Sequence, residues 1–386
     1  MDRILFIVPP YINYDSFVNP AFNERTVVKK SGIYGSVVTD MPIGLLSLSA
    51  YLKKNTAVEI KLIDFNIILN KMESFEYGSF SELFRDILSA KEWSAYAPSI
   101  IGISTLFTPS YQNMLDIAQW CRDLFTKAFI TAGGGVPTNM YNEIYRASKC
   151  FDALCYGEGE KPLLGLVEAI DKKEFLRNSL SWITRDKAEK KQSFKYDFID
   201  NLDEIPILDY ALLNVDDYIL NQIQSLFPQQ KNVKSMPYLS SRGCPYRCCF
   251  CSSHTVHGRE MRYHSHVRIK EDFKYLRDAY RTKTIVFQDD HFLSNKKRAF
   301  EIIHILNEFQ MNAFFPNSLA LYALDRKMLE ALKSIGMNNL VLSVESGSNR
   351  VLKEIMHKPL DLSIVKRVIA DCRELGIASD ISILIG

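Results

Sequence analysis

Four of the chain's eight cysteines fall within eight residues, in the run Cys244-Pro-Tyr-Arg-Cys248-Cys249-Phe250-Cys251. Gly243 and Pro245 mark this run as a turn, and an apolar strand pattern, Tyr238–Ser241, precedes it. Three of the thiols have the spacing C-x3-C-x2-C. Three thiolates on one tight loop suit three irons of a [4Fe–4S] cluster and leave the fourth iron without a protein ligand. A zinc ribbon needs two separated C-x2-C pairs, and no second pair exists, so zinc would require His254 or His257 to complete the site. Cys249 breaks the spacing and reads as a small buried bystander. Cys121, Cys150, Cys155 and Cys372 are isolated.

Strand and helix patterns alternate on both sides of this loop. In the first half, Ile4–Val8, Glu59–Ile63, Ile100–Ser104, Phe129–Thr131 and Ala153–Tyr156 read as strands. Leu45–Lys54, Ser110–Leu124 and Leu163–Ala169 read as helices. Near-continuous apolar strands such as Ile4–Val8 belong in a parallel sheet covered on both faces, so this half reads as an open doubly wound sheet. The pattern weakens over 176–235, where the charged run 185–192 and the punctuation Asn201–Pro206 and Phe227-Pro228 suggest a linker with some structure of its own. From 236 the rhythm resumes. Strands are expected at Tyr238–Ser241, Thr284–Gln288, Ala313–Asn317, Asn339–Ser343 and Asp380–Ile385. Helices are expected at His266–Tyr280, Lys296–Phe309, Asp325–Ile335, Asn349–His357 and Leu362–Leu375. Successive βα units of this length fit a barrel-like wound sheet. The chain stops at Gly386, on what reads as a fifth strand, so the expectation is a fragment with a truncated barrel. The expected fold class is α/β, with domains at 1–175 and 236–386 joined by the linker.

Composition closes off other classes. Lys and Arg number 47 against 45 Asp and Glu, so no basic footprint for nucleic acid stands out. The run Lys187–Gln192 reads as solvated loop. No apolar run approaches the ~20 residues of a membrane span, and the first apolar run is too short for a signal peptide, so a cytoplasmic location without membrane contact is expected.

The run Ser241-Arg-Gly-Cys-Pro-Tyr-Arg-Cys-Cys-Phe-Cys251 resembles the cluster loop of the radical S-adenosylmethionine (SAM) superfamily. Phe287-Gln-Asp-Asp-His-Phe292, Leu342-Ser-Val-Glu-Ser-Gly347 and Ser382-Ile-Leu-Ile-Gly386 resemble the family's second, fourth and fifth strand ends. The resemblance implies that Cys244, Cys248 and Cys251 hold the cluster and that Phe250, Asp290 and Glu345 lie against SAM. It also implies that SAM chelates the open iron and is reductively cleaved to a 5′-deoxyadenosyl radical. Asp289 or Asp290 could instead cap the following helix, and Glu345 also fits an N-cap. His291 could act as an acid or base on the substrate side, although a polar rim group is the plainer reading.

The strand ends of the first half resemble the Rossmann-like cobalamin-binding domain found ahead of many such barrels. Ser104-Thr105-Leu106 and Gly133-Gly134 fit two of its signatures, and Gly157-Glu158-Gly-Glu160 fits the segment after its fifth strand. The resemblance implies that Ser104, Thr105, Leu106, Gly133, Gly134, Gly157 and Glu158 contact cobalamin. The usual axial histidine is absent, since all seven histidines lie at or after His254, so any bound cobalamin is His-off in this domain. A Gly-x-Gly-x-x-Gly fingerprint and a P-loop are both missing.

The resemblance therefore implies a cobalamin-dependent radical SAM enzyme, with methyl transfer to an unactivated carbon of a small-molecule or peptide substrate. A flavodoxin or ferredoxin is the expected electron donor. Ring-forming or rearranging chemistry, a methylthiotransferase, and a non-enzymatic cobalamin- or metal-binding module are the alternatives. The methylthiotransferase would need a second three-cysteine cluster, for which Cys121, Cys150 and Cys155 are poorly placed.

Overall fold

The structure, a computed structural model, describes residues 2–219 and 234–385. Phe227-Pro228 and Gly386 lie outside the described residues. The chain divides into two compact units, one of Met1–Ile199 with Ile205–Lys231, the other of Asp200–Glu204 with Asn232–Gly386.

The first unit is built on strands β1 (Asp2–Val8), β2 (Val58–Asp64), β3 (Ile100–Ser104), β4 (Phe129–Gly133), β5 (Ala153–Cys155) and β6 (Trp182–Ile183), in the order β2-β1-β3-β4-β5-β6. The first five are parallel, and β6 pairs antiparallel with β5. The apolar run of β1 follows from its position. Leu5 and Ile7 enter one core with Ile101, Ile103 and Ile130, while Ile4, Phe6 and Val8 enter another with Leu45, Leu52 and Leu166. Both faces are covered, as a central parallel strand requires. Order 2-1-3-4-5 puts the topological switch point between β1 and β3, and that is where open wound sheets take ligands.

Two short elements differ from the expectation for the stretch after β5. Trp182–Ile183 is too brief to show a period, yet it closes the sheet edge. Lys187 lies in the helix Arg185–Glu189 and is not solvated. It is 5% exposed, and its ammonium donates to the carbonyls of Leu176 (2.6 Å), Trp182 (3.0 Å) and Ser179. Three accepting carbonyls offset its desolvation and tie the helix Lys172–Asn178 to β6.

The second unit contains β7 (Ser235–Tyr238), β8 (Ser241–Arg242), β9 (Arg262–Tyr263), β10 (Thr284–Phe287), β11 (Asn312–Phe314), β12 (Asn339–Glu345) and β13 (Ala378–Ile383). Strands β7, β10 and β11 form one parallel sheet with β10 central, and β12 and β13 form a parallel pair. The connecting helices are His266–Tyr280, Lys296–Glu308, Arg326–Ser334 and Leu362–Leu375, so the expected βα rhythm is present. The expected strand Tyr238–Ser241 splits. Pairing with β10 ends at Tyr238, and Ser241-Arg242 turns away to pair antiparallel with β9. The expected helix Asn349–His357 is present but shorter, spanning 349–355, and Val351–Ile355 within it is π-helical. Among the described residues no helix is long and apolar enough to cross a membrane.

His264, which follows β9, is 9% exposed, and its Nδ1 lies 3.1 Å from Asp203 Oδ1. Burial lowers its pKa to about 4, helped by Arg268 and Arg242 and opposed by Asp203. The unfolded chain therefore takes up this proton first. The associated stability is present above about pH 6.5 and is lost as pH falls towards about 4, up to about 3 kcal/mol. In urea titrations across this window, His264→Gln is expected to remove that share of the acid sensitivity.

Candidate functional site

The cysteine loop is clamped at its base. Gly243 has φ +100°, and a Cβ there would lie 2.2 Å from the carbonyl oxygen of Glu260. Cys244 N–H donates to Gly258 O (3.2 Å), Cys251 N–H to Cys248 O (3.2 Å), and Cys249 N–H to Met356 O (3.0 Å). Arg259 donates to the carbonyl of Tyr246. Below the loop, Asp289 is 3% exposed and accepts from Ser240 N–H (2.8 Å), Ser240 Oγ (2.6 Å) and Ser241 Oγ. Asp289 is therefore not a helix cap; Asn295 caps the following helix. Burial pushes its pKa up, while these hydrogen bonds and Arg298 pull it down. Arg298 is itself buried, donates to Ser240 O (2.6 Å) and lies 4.8 Å over the Tyr263 ring.

Cys244, Cys248 and Cys251 are free and half-buried. Cys249 is free and exposed, not buried as expected, with its backbone N–H donating to Met356 O. Burial raises the pKa of Cys244 and of Cys248; Cys251 and Cys248 act on Cys244, and Cys251 acts on Cys248. Among the described residues no three His, Cys, Asp or Glu side chains converge as they would on a single metal ion. A [4Fe–4S] cluster asks for something else: one thiolate for each of three separate irons. Three free thiols on one pinned loop fit that demand.

The residues expected beside SAM come from three places, Phe250 on the loop, Asp290 after β10 and Glu345 at the end of β12. Asp290 acts electrostatically on Cys244, and Glu345 on Cys248. Glu345 ends β12 with φ +68°, a conformation uncommon for a residue with a side chain. It is 7% exposed and accepts from Lys358 Nζ at 3.2 Å. Glu345 is no helix cap, since Ser348 takes that place for the helical turn that follows, its Oγ accepting from Val351 N–H (3.4 Å) and its carbonyl from Leu352 N–H (3.0 Å). Lys358 Nζ lies 5.9 Å from the Phe250 ring centre and eases ionisation of Cys248. His291 is also not a rim group. It is 6% exposed, burial lowers its pKa to about 4, and its Nε2 is 2.5 Å from Tyr322 Oη. Tyr246 packs against both rings. Lys358, Tyr322 and Arg298 carry no motif, so sequence reasoning missed them.

In the first unit, the ends of β3 and β4 are pressed together. Thr105 N–H donates to Gly133 O (2.9 Å) and Val136 N–H to Thr105 O (3.1 Å). A Cβ on Gly134, whose φ is +105°, would lie 2.7 Å from Thr105 O. Thr105 is fully buried, yet its Oγ1 has no hydrogen-bond partner, and Leu106 and Phe107 beside it are 50% and 49% exposed. A buried orphan hydroxyl beside bare apolar side chains fits a site shaped for a large, partly apolar cofactor such as cobalamin. Gly157 has φ +85°, and its N–H donates to Thr138 Oγ1 (3.2 Å), linking the end of β5 to the segment after β4. Glu158 is buried. Ser104, Thr105, Leu106, Gly133 and Gly134 thus form one strand-end cradle, with Gly157 joined through Thr138. Cys121 and Cys150 lie in one core and Cys155 in the other, so these three cannot share a cluster.

Residues 238–386 match the radical SAM superfamily, and residues 33–167 match the B12 binding domain. The chain is 30% identical over 354 residues to an uncharacterized methyltransferase of Pyrococcus horikoshii, covering 92% of this chain and 67% of that protein. It is 26% identical to the cytidylyl-2-hydroxyethylphosphonate methyltransferase of Streptomyces wedmorensis, covering 87% and 67%. It is 23% identical to the anaerobic magnesium-protoporphyrin IX monomethyl ester cyclase of Rubrivivax gelatinosus, covering 75% and 51%. Among solved structures, the radical SAM methyltransferase TsrM from Kitasatospora setae aligns over 100% of this chain and 68% of its own, with TM-score 0.70 and 14% identity. The cobalamin-dependent radical enzyme OxsB aligns over 100% and 49%, with TM-score 0.69 and 17% identity.

After anaerobic supply of iron and sulfide, Cys244→Ala, Cys248→Ala and Cys251→Ala are each expected to lose bound iron by at least about tenfold, and Cys249→Ala to retain it. Gly243→Ala should lose iron with an unchanged helical circular dichroism signal. Iron content per chain and absorption spectra check both.

Proposed function

The chain belongs to the cobalamin-dependent radical SAM methyltransferase family, and on that premise we propose which of its residues hold the cofactors and what it methylates. Cys244, Cys248 and Cys251 hold the [4Fe–4S] cluster. Phe250, Asp290 and Glu345 line the SAM side. Ser104, Thr105, Leu106, Gly133, Gly134, Gly157 and Glu158 line the cobalamin side, within a domain extending to about residue 175, and the radical SAM half begins near 236. With these cofactors bound, SAM is cleaved by one electron and a methyl group is available for transfer, chemistry beyond any side chain.

The single observation that carries this reading is the loop itself: three free, half-buried thiols pinned at the end of the first strand of the unit, with Glu345 and Asp290 within their field. The chain's own residues bind and orient. Lys358 neutralises Glu345 and favours the thiolate of Cys248. The buried His291–Tyr322 pair stays neutral and gives the site a fixed polar wall.

A small molecule is the substrate class, with an unactivated carbon as acceptor. In support, the named methyltransferases act on unrelated small molecules, a cytidylyl phosphonate in one case and hopanoids in others. Ring formation is the second reading, favoured by the similarity to the cyclase. The electron donor is a flavodoxin or ferredoxin, and the absence of a long apolar helix among the described residues accords with a cytoplasmic protein.

Anaerobic incubation with SAM, cobalamin and reduced flavodoxin tests the reading. It should yield 5′-deoxyadenosine, and candidate substrates should gain the labelled methyl group of SAM. Cleavage with a product that lacks the label would favour ring chemistry, and no cleavage by a cluster-loaded protein would overturn both. Glu345→Gln should raise the KM for SAM about tenfold with the cluster retained, the loss of one charge-assisted hydrogen bond.

A further inference from the structure

One side of the cluster loop reaches the surface. Cys249, which stands between two of the proposed cluster ligands, is exposed. Its N–H donates to Met356 O (3.0 Å), and Cys248 Sγ lies 4.0 Å from His357 O. The end of the helical stretch 349–355 and the residues just after it therefore lie against the thiol of Cys248. His357 is exposed there with φ +54°, and Ile355 beside it is 52% exposed. Cys248 is itself only half-buried, so the proposed cluster comes close to solvent on this side.

The same side concentrates positive charge. Residues 241–265 and 345–361 hold seven Lys and Arg against four Asp and Glu, whereas the whole chain is nearly balanced at 47 against 45. Arg242, Arg262 and Glu345 are buried. That leaves Arg247, Arg259, Arg350, Lys353 and Lys358 against Glu260, Glu354 and Asp361. Arg247 adjoins Cys248, and Arg350 and Lys353 stand three apart on the helical stretch that ends against it. Among the described residues Arg247 and Arg350 have no partner, and Lys353 meets Asp361 only in an exposed pair at 3.0 Å.

We propose that this side, centred on Cys249, Ile355 and His357 and flanked by Arg247, Arg350 and Lys353, is where a flavodoxin docks to reduce the cluster. The inference rests on the reading that Cys244, Cys248 and Cys251 hold a [4Fe–4S] cluster. Electron carriers meet their partners in small, brief encounters, in which steering charge matters more than buried area. A flavodoxin is acidic around its flavin and exposes the apolar dimethylbenzene edge of that ring. It therefore asks for a basic rim with a small apolar centre, which Ile355 and Cys249 supply. A ferredoxin brings the acids but no such edge. The carrier gives up one electron, its flavin passing from anionic hydroquinone to neutral semiquinone with no proton moved, and the oxidised cluster takes that electron up.

The test follows 5′-deoxyadenosine formed anaerobically from SAM by the cluster-loaded full chain. The reductant is either reduced flavodoxin or dithionite, a small molecule that needs no docking surface. Arg350→Glu combined with Lys353→Glu should raise the KM for flavodoxin about tenfold and leave the dithionite-driven rate within about twofold of wild type. An unchanged KM for flavodoxin overturns the inference alone, as does a wild type that is served by dithionite and not by flavodoxin. A wild type that cleaves SAM with neither reductant overturns the reading beneath it as well. Should the charge reversal cost iron or dithionite-driven activity, carbodiimide cross-linking of wild type to flavodoxin decides. Lys353 should be among the linked residues, and its absence from them overturns the inference.

Discussion

A single buried carboxylate, Asp289, underlies the cluster loop. Moving a charge out of water costs several kcal/mol unless it is well bonded. Asp289 takes hydrogen bonds from a backbone N–H and two hydroxyls of Ser240 and Ser241, and the Arg298 charge is nearby. Charge-assisted bonds of this kind contribute about 1.5–3 kcal/mol each and offset part of the burial, which still leaves the Asp289 pKa raised. Through them the turn between β7 and β8 is held, and the loop with its three thiols follows directly after β8. Gly243 then lets the chain pass against Glu260 where any Cβ would collide. The open coordination position of the proposed cluster follows from the C-x3-C-x2-C spacing, which offers three thiols for four irons.

The first unit works by a different constraint. Its central strand buries alternate side chains in two separate cores, and this holds the strand ends in register. The ends of β3 and β4 approach so closely that Gly134 must be glycine, and Thr105 keeps an unanswered buried hydroxyl. A strand end with an orphan polar atom and two bare apolar residues is costly unless a ligand covers it.

Much of this was legible in the sequence. The spacing of Cys244, Cys248 and Cys251 and the apolar run of β1 depend on neighbours a few residues away, which periodicity and local chemistry report. What was not legible depends on long-range contacts. Lys187 stands in a charged run, and only the three carbonyls that meet it make it a core residue. Lys358 reaches Glu345 and Phe250 from just beyond the π-helical end of the helix that follows β12. His291 looked like a rim residue because its partner, Tyr322, lies on a different βα unit. Asp289 looked like a helix cap until Asn295 took that place and the serines before the loop claimed the carboxylate.

The central claim is that three cysteines leave one iron of a four-iron cluster open to SAM. Mössbauer spectroscopy of the chain loaded with ⁵⁷Fe, recorded with and without SAM, tests it most directly. The account predicts that about one quarter of the iron signal shifts to a higher isomer shift when SAM binds, as one iron gains nitrogen and oxygen ligands, while the rest stays in place. A cluster whose four irons remain equivalent and indifferent to SAM would contradict it.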